Sequence, residues 1–327
     1  MAKILITGGA GFVGRHFTRY FLELGDQVTV VDPIEPGTGG INLQDGWPIF
    51  EPRDFSEFSF VNVDCRQFFK DNPNEEFDLV LHLAAMVGGR LMIEYNPLAV
   101  ADDLSIDAAY WQWAKTALPS KTICFSSSAA YPIRLQAEAN YVLLREEMID
   151  FGSDIGMPDM SYGWAKLTCE YLARLAHERH GLKSVCFRPF SGYGPDQDDT
   201  YPFPSICKRA IAGSSNEPFV VWGSGTQMRD FIHIDDCVRG VATTSAAIDN
   251  GDAINLSTGI LTSFIDFANL ATKACGYEAE ITAMSSRPTG VFARGGDTSK
   301  QIALGFEHSI SFNEGIVDAL KYYQTLL

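Results

Sequence analysis

Three serines stand in a row in FSSSAAYP, residues 125–132, directly after the apolar stretch TIC (122–124). Hydroxyls at the end of a strand are presented to a ligand, and one of them can hydrogen-bond a reacting oxygen. Further along, SYGWAK (161–166) places Tyr162 and Lys166 at i and i+4, which brings both side chains to one face of a helix. An unperturbed phenol titrates near ~10 and is a poor general base at neutral pH. An ammonium beside it favours the phenolate and moves it toward working range. Such a pair arises often on amphipathic helices, so its meaning depends on its company.

That company begins at TGGAGFVG (7–14), which follows a strand and opens a helix. Gly8 allows a tight turn, Gly11 lets the backbone approach a pyrophosphate, and Gly14 lets helix and strand pack closely. Phe12 and Val13 complete the loop as cofactor contacts. The helix N-terminus then faces phosphates with free N–H groups and partial positive charge. The next strand ends in Asp32, 18 residues after Gly14. A carboxylate there accepts from an adenosine ribose diol and repels a 2′-phosphate, so NAD is favoured over NADP. Asp64, expected to end the third strand, could hold the adenine amino group or simply cap a loop. An oxidised nicotinamide near Tyr162 would further favour its phenolate.

These residues need a frame, and the hydrophobic pattern supplies one. KILIT (3–7), VTVV (28–31), FVNV (60–63), DLVLHL (78–83), TICF (122–125) and SVCF (184–187) predict strands, mostly apolar on both faces. Residues 12–24, 97–115 and 162–179 predict helices between them. This alternation predicts an α/β fold, a Rossmann-type doubly wound parallel sheet. After residue 190 Pro and Gly become frequent and the elements shorten. We therefore expect an NAD-binding domain over residues 1–190, completed by a strand near 253–257, and a smaller C-terminal α/β substrate lobe over 191–327.

Bulk properties narrow the classes. The net charge is −16, which repels phosphate backbones and argues against a nucleic-acid partner, while a few arginines can still make a local cleft for a small anion. No apolar run approaches the ~20 residues that span a bilayer, so no membrane partner is expected. MAKILITGG enters a strand directly, without a basic leader. The seven cysteines (65, 124, 169, 186, 207, 237 and 275) are scattered without a CxxC pair, which points to reduced thiols in a cytoplasmic protein. No metal site is expected. His177 and His180 share a helix face, but Arg174, Glu178 and Arg179 beside them mark it as solvated.

With these motifs together, the chain resembles the extended short-chain dehydrogenase/reductases, specifically the NAD-dependent nucleotide-sugar epimerases and dehydratases. The resemblance runs through TGGAGFVG, HLAA (82–85), SSSAAY (126–131), YGWAK (162–166), RPFSGYGP (188–195), GSGTQMRDFIHIDD (223–236) and DTSK (297–300). In that family the catalytic Ser or Thr lies four residues before the tyrosine closing the strand-end motif, here Tyr131, which selects Ser127. The resemblance implies that Ser127 hydrogen-bonds the sugar hydroxyl, Tyr162 takes its proton, and Lys166 holds the cofactor ribose. It adds Leu83, Ala84 and Ala85 as cofactor contacts. Ser128, Ser191, Arg229 and Arg287 become contacts to a nucleotide-diphosphate sugar, UDP- or GDP-linked.

The resemblance also says what is missing. Relatives that look like 4,6-dehydratases carry an Asp–Glu pair after the catalytic hydroxyl. Decarboxylases keep a Glu there, and GDP-fucose synthase and GDP-mannose 3,5-epimerase have a cysteine two before the tyrosine. This chain has Ser128 and Ala129. The expected activity is therefore that of an isomerase, an NAD-dependent nucleotide-sugar 4-epimerase working through a transient 4-keto sugar. The alternatives are an NAD(P)H-dependent nucleotide 4-keto-sugar reductase and a 3,5-epimerase with a relocated acid. A non-catalytic dinucleotide sensor would be expected to lose Tyr162 or Lys166, and both are present. Ser191 and Asp103 stand where the family usually has asparagines. MVGGR (86–90) and Tyr131–Pro132 look like the GDP-sugar branch, yet Asp196 replaces that branch's histidine. Helices at 97–117 and 161–180, rich in aromatic residues, are expected to pair two copies into a homodimer.

Overall fold

The computed structural model describes residues 1–34, 39–86, 90–287 and 290–326. Seven strands form one parallel sheet: β1 (Lys3–Thr7), β2 (Gln27–Val31), β3 (Phe58–Val61), β4 (Leu79–His82), β5 (Thr122–Phe125), β6 (Ser184–Pro189) and β10 (Asn250–Leu256). Their order is β10-β6-β5-β4-β1-β2-β3. The chain thus reverses direction across the sheet at β1, which lies between β2 and β4. Ile4, Leu5, Ile6, Val80 and Leu81 are essentially inaccessible, because helices cover both faces. Those helices are α1 (Phe12–Glu23), α2 (Cys65–Asp71), α3 (Arg90–Tyr95), α4 (Pro97–Val100), α5 (Asp103–Ala117) and α6 (Met160–His180).

The smaller lobe holds β7 (Ser191–Tyr193), β8 (Phe219–Trp222), β9 (Met228–His233), β11 (Leu261–Ser263), β12 (Ile281–Met284) and β13 (Ala293–Arg294). β9 is flanked by β7, β11 and β13, and β8 pairs with β12. With them come α7 (Pro202–Ala212), α9 (Phe264–Ala274) and α11 (Phe312–Gln324), whereas α8 (Ile234–Thr244) packs Ile234, Cys237, Val238 and Val241 into the core of the main sheet and α10 (Ser299–Ala303) lies against β10. Tyr193, Phe203, Phe231 and Phe267 are at the centre of a separate core there, with Phe312 packed against them.

Two expected elements are placed differently. β3 covers Phe58–Val61 rather than 60–63, because its register to β2 pairs Phe58 with Val28 and Val61 with Val31. The single helix expected over 97–115 is broken after Val100. Bonds from Asp102 N to Ala99 O and from Leu104 N to Ala101 O tighten the turn before α5 begins. Arg66 holds the Asp102 carboxylate at 3.0 Å, so the break coincides with an anchor to α2. Tyr110, Trp111 and Trp113 on α5 are buried within their own chain, whereas Trp164 and Tyr171 on α6 are exposed. All seven cysteines are free. Among the described residues there is no group of three potential metal ligands and no helix long and apolar enough to cross a membrane.

Candidate active site

The carboxyl ends of β1 and β4 open a crevice where the strand order reverses, the place where doubly wound sheets bind ligands. Gly8 turns the chain after β1 with φ +72°, and a Cβ there would lie 2.8 Å from Ala84 N. A Cβ on Gly14 would lie 2.4 Å from Gly8 O, so helix and loop touch through backbone. Gly11 caps α1 without a side-chain acceptor, leaving first-turn N–H groups for an anion. Gly8, Gly11, Phe12, Val13, Gly14, Asp32, Asp64, Leu83, Ala84 and Ala85 all line one cavity of about 380 Å³.

Asp32 is buried and accepts from Ala10 N at 3.1 Å and Ile34 N at 3.0 Å. The loop thereby holds its carboxylate at the wall of the cavity it lines. A glycine cradle that a Cβ would fill, an uncapped helix start and a carboxylate at the cavity wall fit NAD. Asp64 lies beyond β3, not at its end. Its side chain caps α2 by accepting from Arg66 N at 2.7 Å and pairs with the Arg66 guanidinium at 2.6 Å. Of the two readings left open for Asp64, the capping one describes its bonds, although it still lines the cleft.

The strand end after β5 separates the three serines. Ser126 Oγ donates to Lys166 O at 3.3 Å and to Glu170 Oε1, pointing away from the crevice. Glu170 is held in turn by Arg188 at 2.6 Å, both fully buried. Ser127 Oγ accepts from Ala129 N at 3.1 Å, which keeps its own proton for another acceptor. Ser127 and Tyr162 line both the cofactor cavity and a second cavity of about 610 Å³. Ser128 lines the second cavity alone, and Ala129 is buried and lines neither.

Lys166 projects from α6 one turn after Tyr162, its Nζ 5.7 Å from the centre of that ring. It is buried, and its Nζ lies 3.6 Å from Asp103 Oδ2. Burial alone would push the ammonium down, but Asp103, Tyr162 and Asp107 outweigh it and raise its pKa above the ordinary lysine value. Asp103 is likewise pushed up by burial, against the pull of Lys166.

The second cavity is lined by Ser191, Arg90, Arg209, Arg229 and Arg294. Arg229 donates to Met228 O at 2.7 Å. Burial and the charges of Arg294 and Arg90 push it down to about 9, against the pull of Asp159. That concentration of cationic groups suits a diphosphate, within a chain that is acidic overall. Arg287 is not among the lining residues; it is exposed and stacks over Trp222 at 5.1 Å. Residues 87–89 of the MVGGR motif lie outside the described residues.

Sequence reasoning missed Asp159. It lies one helical turn before Tyr162, bonds Ala129 O through its backbone N–H, and is clamped by Arg90 at 2.9 Å and Arg294 at 2.8 Å. Burial opposes its charge, yet the two guanidiniums hold its pKa below the usual carboxylate value. Its place at the start of a helix was a visible signal, but its arginine partners are distant in the chain. Asp196, noted as a departure, is buried between Arg15 and His16, both at 2.8 Å, and so ties α1 to the smaller lobe.

Residues 4–257 match the model of the NAD-dependent epimerase/dehydratase family. The chain belongs to that family. Its cofactor is NAD, and its relatives include both epimerases and dehydratases of nucleotide sugars. A dTDP-glucose 4,6-dehydratase of Streptomyces niveus is 26% identical over 335 residues, covering 98% of this chain and 93% of the relative. A UDP-glucuronic acid 4-epimerase from Bacillus cereus, solved with UDP-glucuronic acid and NAD, superposes with a TM-score of 0.80 at 25% identity, covering 99% of this chain and 100% of that one. A UDP-glucose 4-epimerase from Thermotoga maritima gives a TM-score of 0.82 at 24% identity over 99% of each chain, a likeness of fold.

Proposed function

We propose that this family member is a nucleotide-sugar 4-epimerase, with Ser127, Tyr162 and Lys166 as its catalytic residues. The observation that carries the reading is the state of the carboxylate beside them. Ala129 can exchange no proton, and Asp159, the nearby acid, is committed to Arg90 and Arg294 as an ionised group. A carboxylate held in that form is a poor proton donor for eliminating water. Tyr162, at the junction of the two cavities, is then the group for moving a proton.

NAD, when bound along the glycine loop and Asp32, supplies a reversible hydride acceptor at one sugar carbon. Ser127 donates its free proton to the sugar oxygen and orients it. Tyr162 takes the hydroxyl proton as the carbonyl forms and returns it after the keto sugar has turned over in the wider cavity. Lys166 sits behind Tyr162, its Nζ 5.7 Å from the centre of the ring. Arg229, with its neighbours, would grip the diphosphate while the sugar turns, and Ser128 and Ser191 line the space in which it does so.

The purified protein, without added cofactor, should convert one member of a panel of UDP-, GDP-, dTDP- and CDP-sugars to a fixed ratio of two sugars by proton NMR of the anomeric region. Tyr162→Phe should remove most turnover while leaving NAD binding intact. Undiminished turnover in that variant would overturn the role of Tyr162. Conversion dependent on added reduced cofactor would point to the keto-sugar reductase instead.

A further inference from the structure

In place of the amide common at its position, Asp103 puts a full negative charge behind the reacting groups. Its Oδ1 accepts from Met86 N, fixing the start of the loop after β4. Its Oδ2 has no hydrogen-bond partner among the described residues and lies 3.6 Å from Lys166 Nζ. The side chains of Asp103 and Lys166 are 1% and 8% exposed, so water does not screen the pair. We propose that Asp103 is a positioning residue of the reaction, the buried counter-charge that holds Lys166 Nζ behind Tyr162 and keeps it an ammonium. This rests on the reading of Tyr162 and Lys166 given above.

The other groups facing Lys166 support its charge less than Asp103 does. Asp107 on α5 is turned to His82 on β4, its Oδ1 3.2 Å from Nε2. Cys169 on the same helix faces Cys124 on β5 and burial raises its thiol, so it carries no countercharge at neutral pH. Tyr201, before α7, is held protonated by burial. An ammonium this deeply buried that lost its foremost countercharge would titrate lower. The positive charge behind Tyr162 would then be lost at a lower pH than in the wild type.

The sign follows directly. A lysine raised by its partner keeps its charge to higher pH, and losing the partner moves its titration down. Asp103→Asn retains an oxygen for Met86 N but removes the charge. Coulomb attraction at 3.6 Å, at an effective dielectric constant of ~20, corresponds to a downward shift of about three pH units. The test is a titration of the NAD-saturated protein labelled with 13C at lysine Cε, followed by NMR, with the Lys166 signal assigned by its loss in Lys166→Arg. In the wild type that signal should not titrate below about pH 10. In Asp103→Asn it should titrate about three units lower, and the alkaline limb of the pH–rate profile should fall with it. Asp103→Glu should restore most of the shift.

A Lys166 signal that titrates alike in wild type and Asp103→Asn overturns the proposal. So does a wild-type Lys166 titrating below pH 8, a result that needs no variant to fold. The two readings fail separately. An active Tyr162→Phe alongside a shifted Lys166 removes the function proposed for Tyr162 and leaves the pair. An inactive Tyr162→Phe alongside an unshifted Lys166 removes the pair and leaves that function.

Discussion

Gly163, the residue after Tyr162, shows how tightly the catalytic helix is docked. A Cβ built there would meet Ala129 O at 2.4 Å, Pro158 Cβ at 2.9 Å and Pro158 C at 3.1 Å. A carbon–oxygen contact opens at about 3.3 Å, so Gly163→Ala requires the start of α6 to move by roughly 0.9 Å from the strand end after β5. The obstructing atoms are mainly backbone, and Asp159 N bonds the same Ala129 oxygen at 3.0 Å, so no flexible side chain can absorb the change. Overpacking of this kind costs about 1–3 kcal/mol. The gain in helix propensity from Gly to Ala offsets at most about 1 kcal/mol. The net loss of stability should therefore be modest, at roughly 0–2 kcal/mol by that difference. The effect on turnover should be larger, because a shift near 1 Å between reacting groups can cost about 10²-fold. Parallel thermal melts, NAD titrations and turnover of the substrate found by NMR would separate these effects. We expect a melting point within a few degrees of wild type, near-normal NAD affinity and kcat down by about two orders of magnitude. A fully active Gly163→Ala would refute the claim that α6 and the strand end are in rigid contact.

The latch between α1 and the smaller lobe should respond to pH. Burial opposes a charge on His16, but Asp196 at 2.8 Å and Asp235 at 3.6 Å outweigh it and raise its pKa above the usual histidine value. A raised histidine contributes stability that is full below about pH 6.5 and is lost as pH rises through its folded pKa. Asp196 and Asp235 are shifted down, so their contribution is present above about pH 4 and disappears below it. Melting curves of wild type and His16→Gln should thus differ most between about pH 5 and 6.5 and draw together as pH rises through the raised pKa of His16; a gap that widens with pH would contradict this. The exposed rings of Trp164 and Tyr171 on α6 make that face the expected contact between two copies. Light scattering after size exclusion should give a dimer that Trp164→Glu dissociates, and a monomeric wild type would remove the idea.

Much of the frame was legible because its signals are local. The apolar runs of β1, β2 and β4 depend on neighbours in sequence and on burial at both faces. The glycine loop is a property of eight consecutive residues, and the Tyr162–Lys166 pair of a single helical turn. Boundaries were less legible: β3 slid by two residues because its register answers to β2, and the break before α5 because Arg66 on another element holds Asp102.

The sequence by itself therefore determined the parallel α/β sheet, the dinucleotide loop and the residue types available for hydride and proton transfer. It did so because periodicity, turn chemistry and helical spacing act over a few residues. Tertiary structure alone decided which serine faces the cavity by bond and which is turned to Glu170, that Arg90 and Arg294 commit Asp159, and that Asp103 stands against Lys166. Arg90 and Arg294 reach Asp159 across 69 and 135 residues of chain. Those are contacts between elements brought together by packing, and no local pattern encodes the charge a distant side chain will meet.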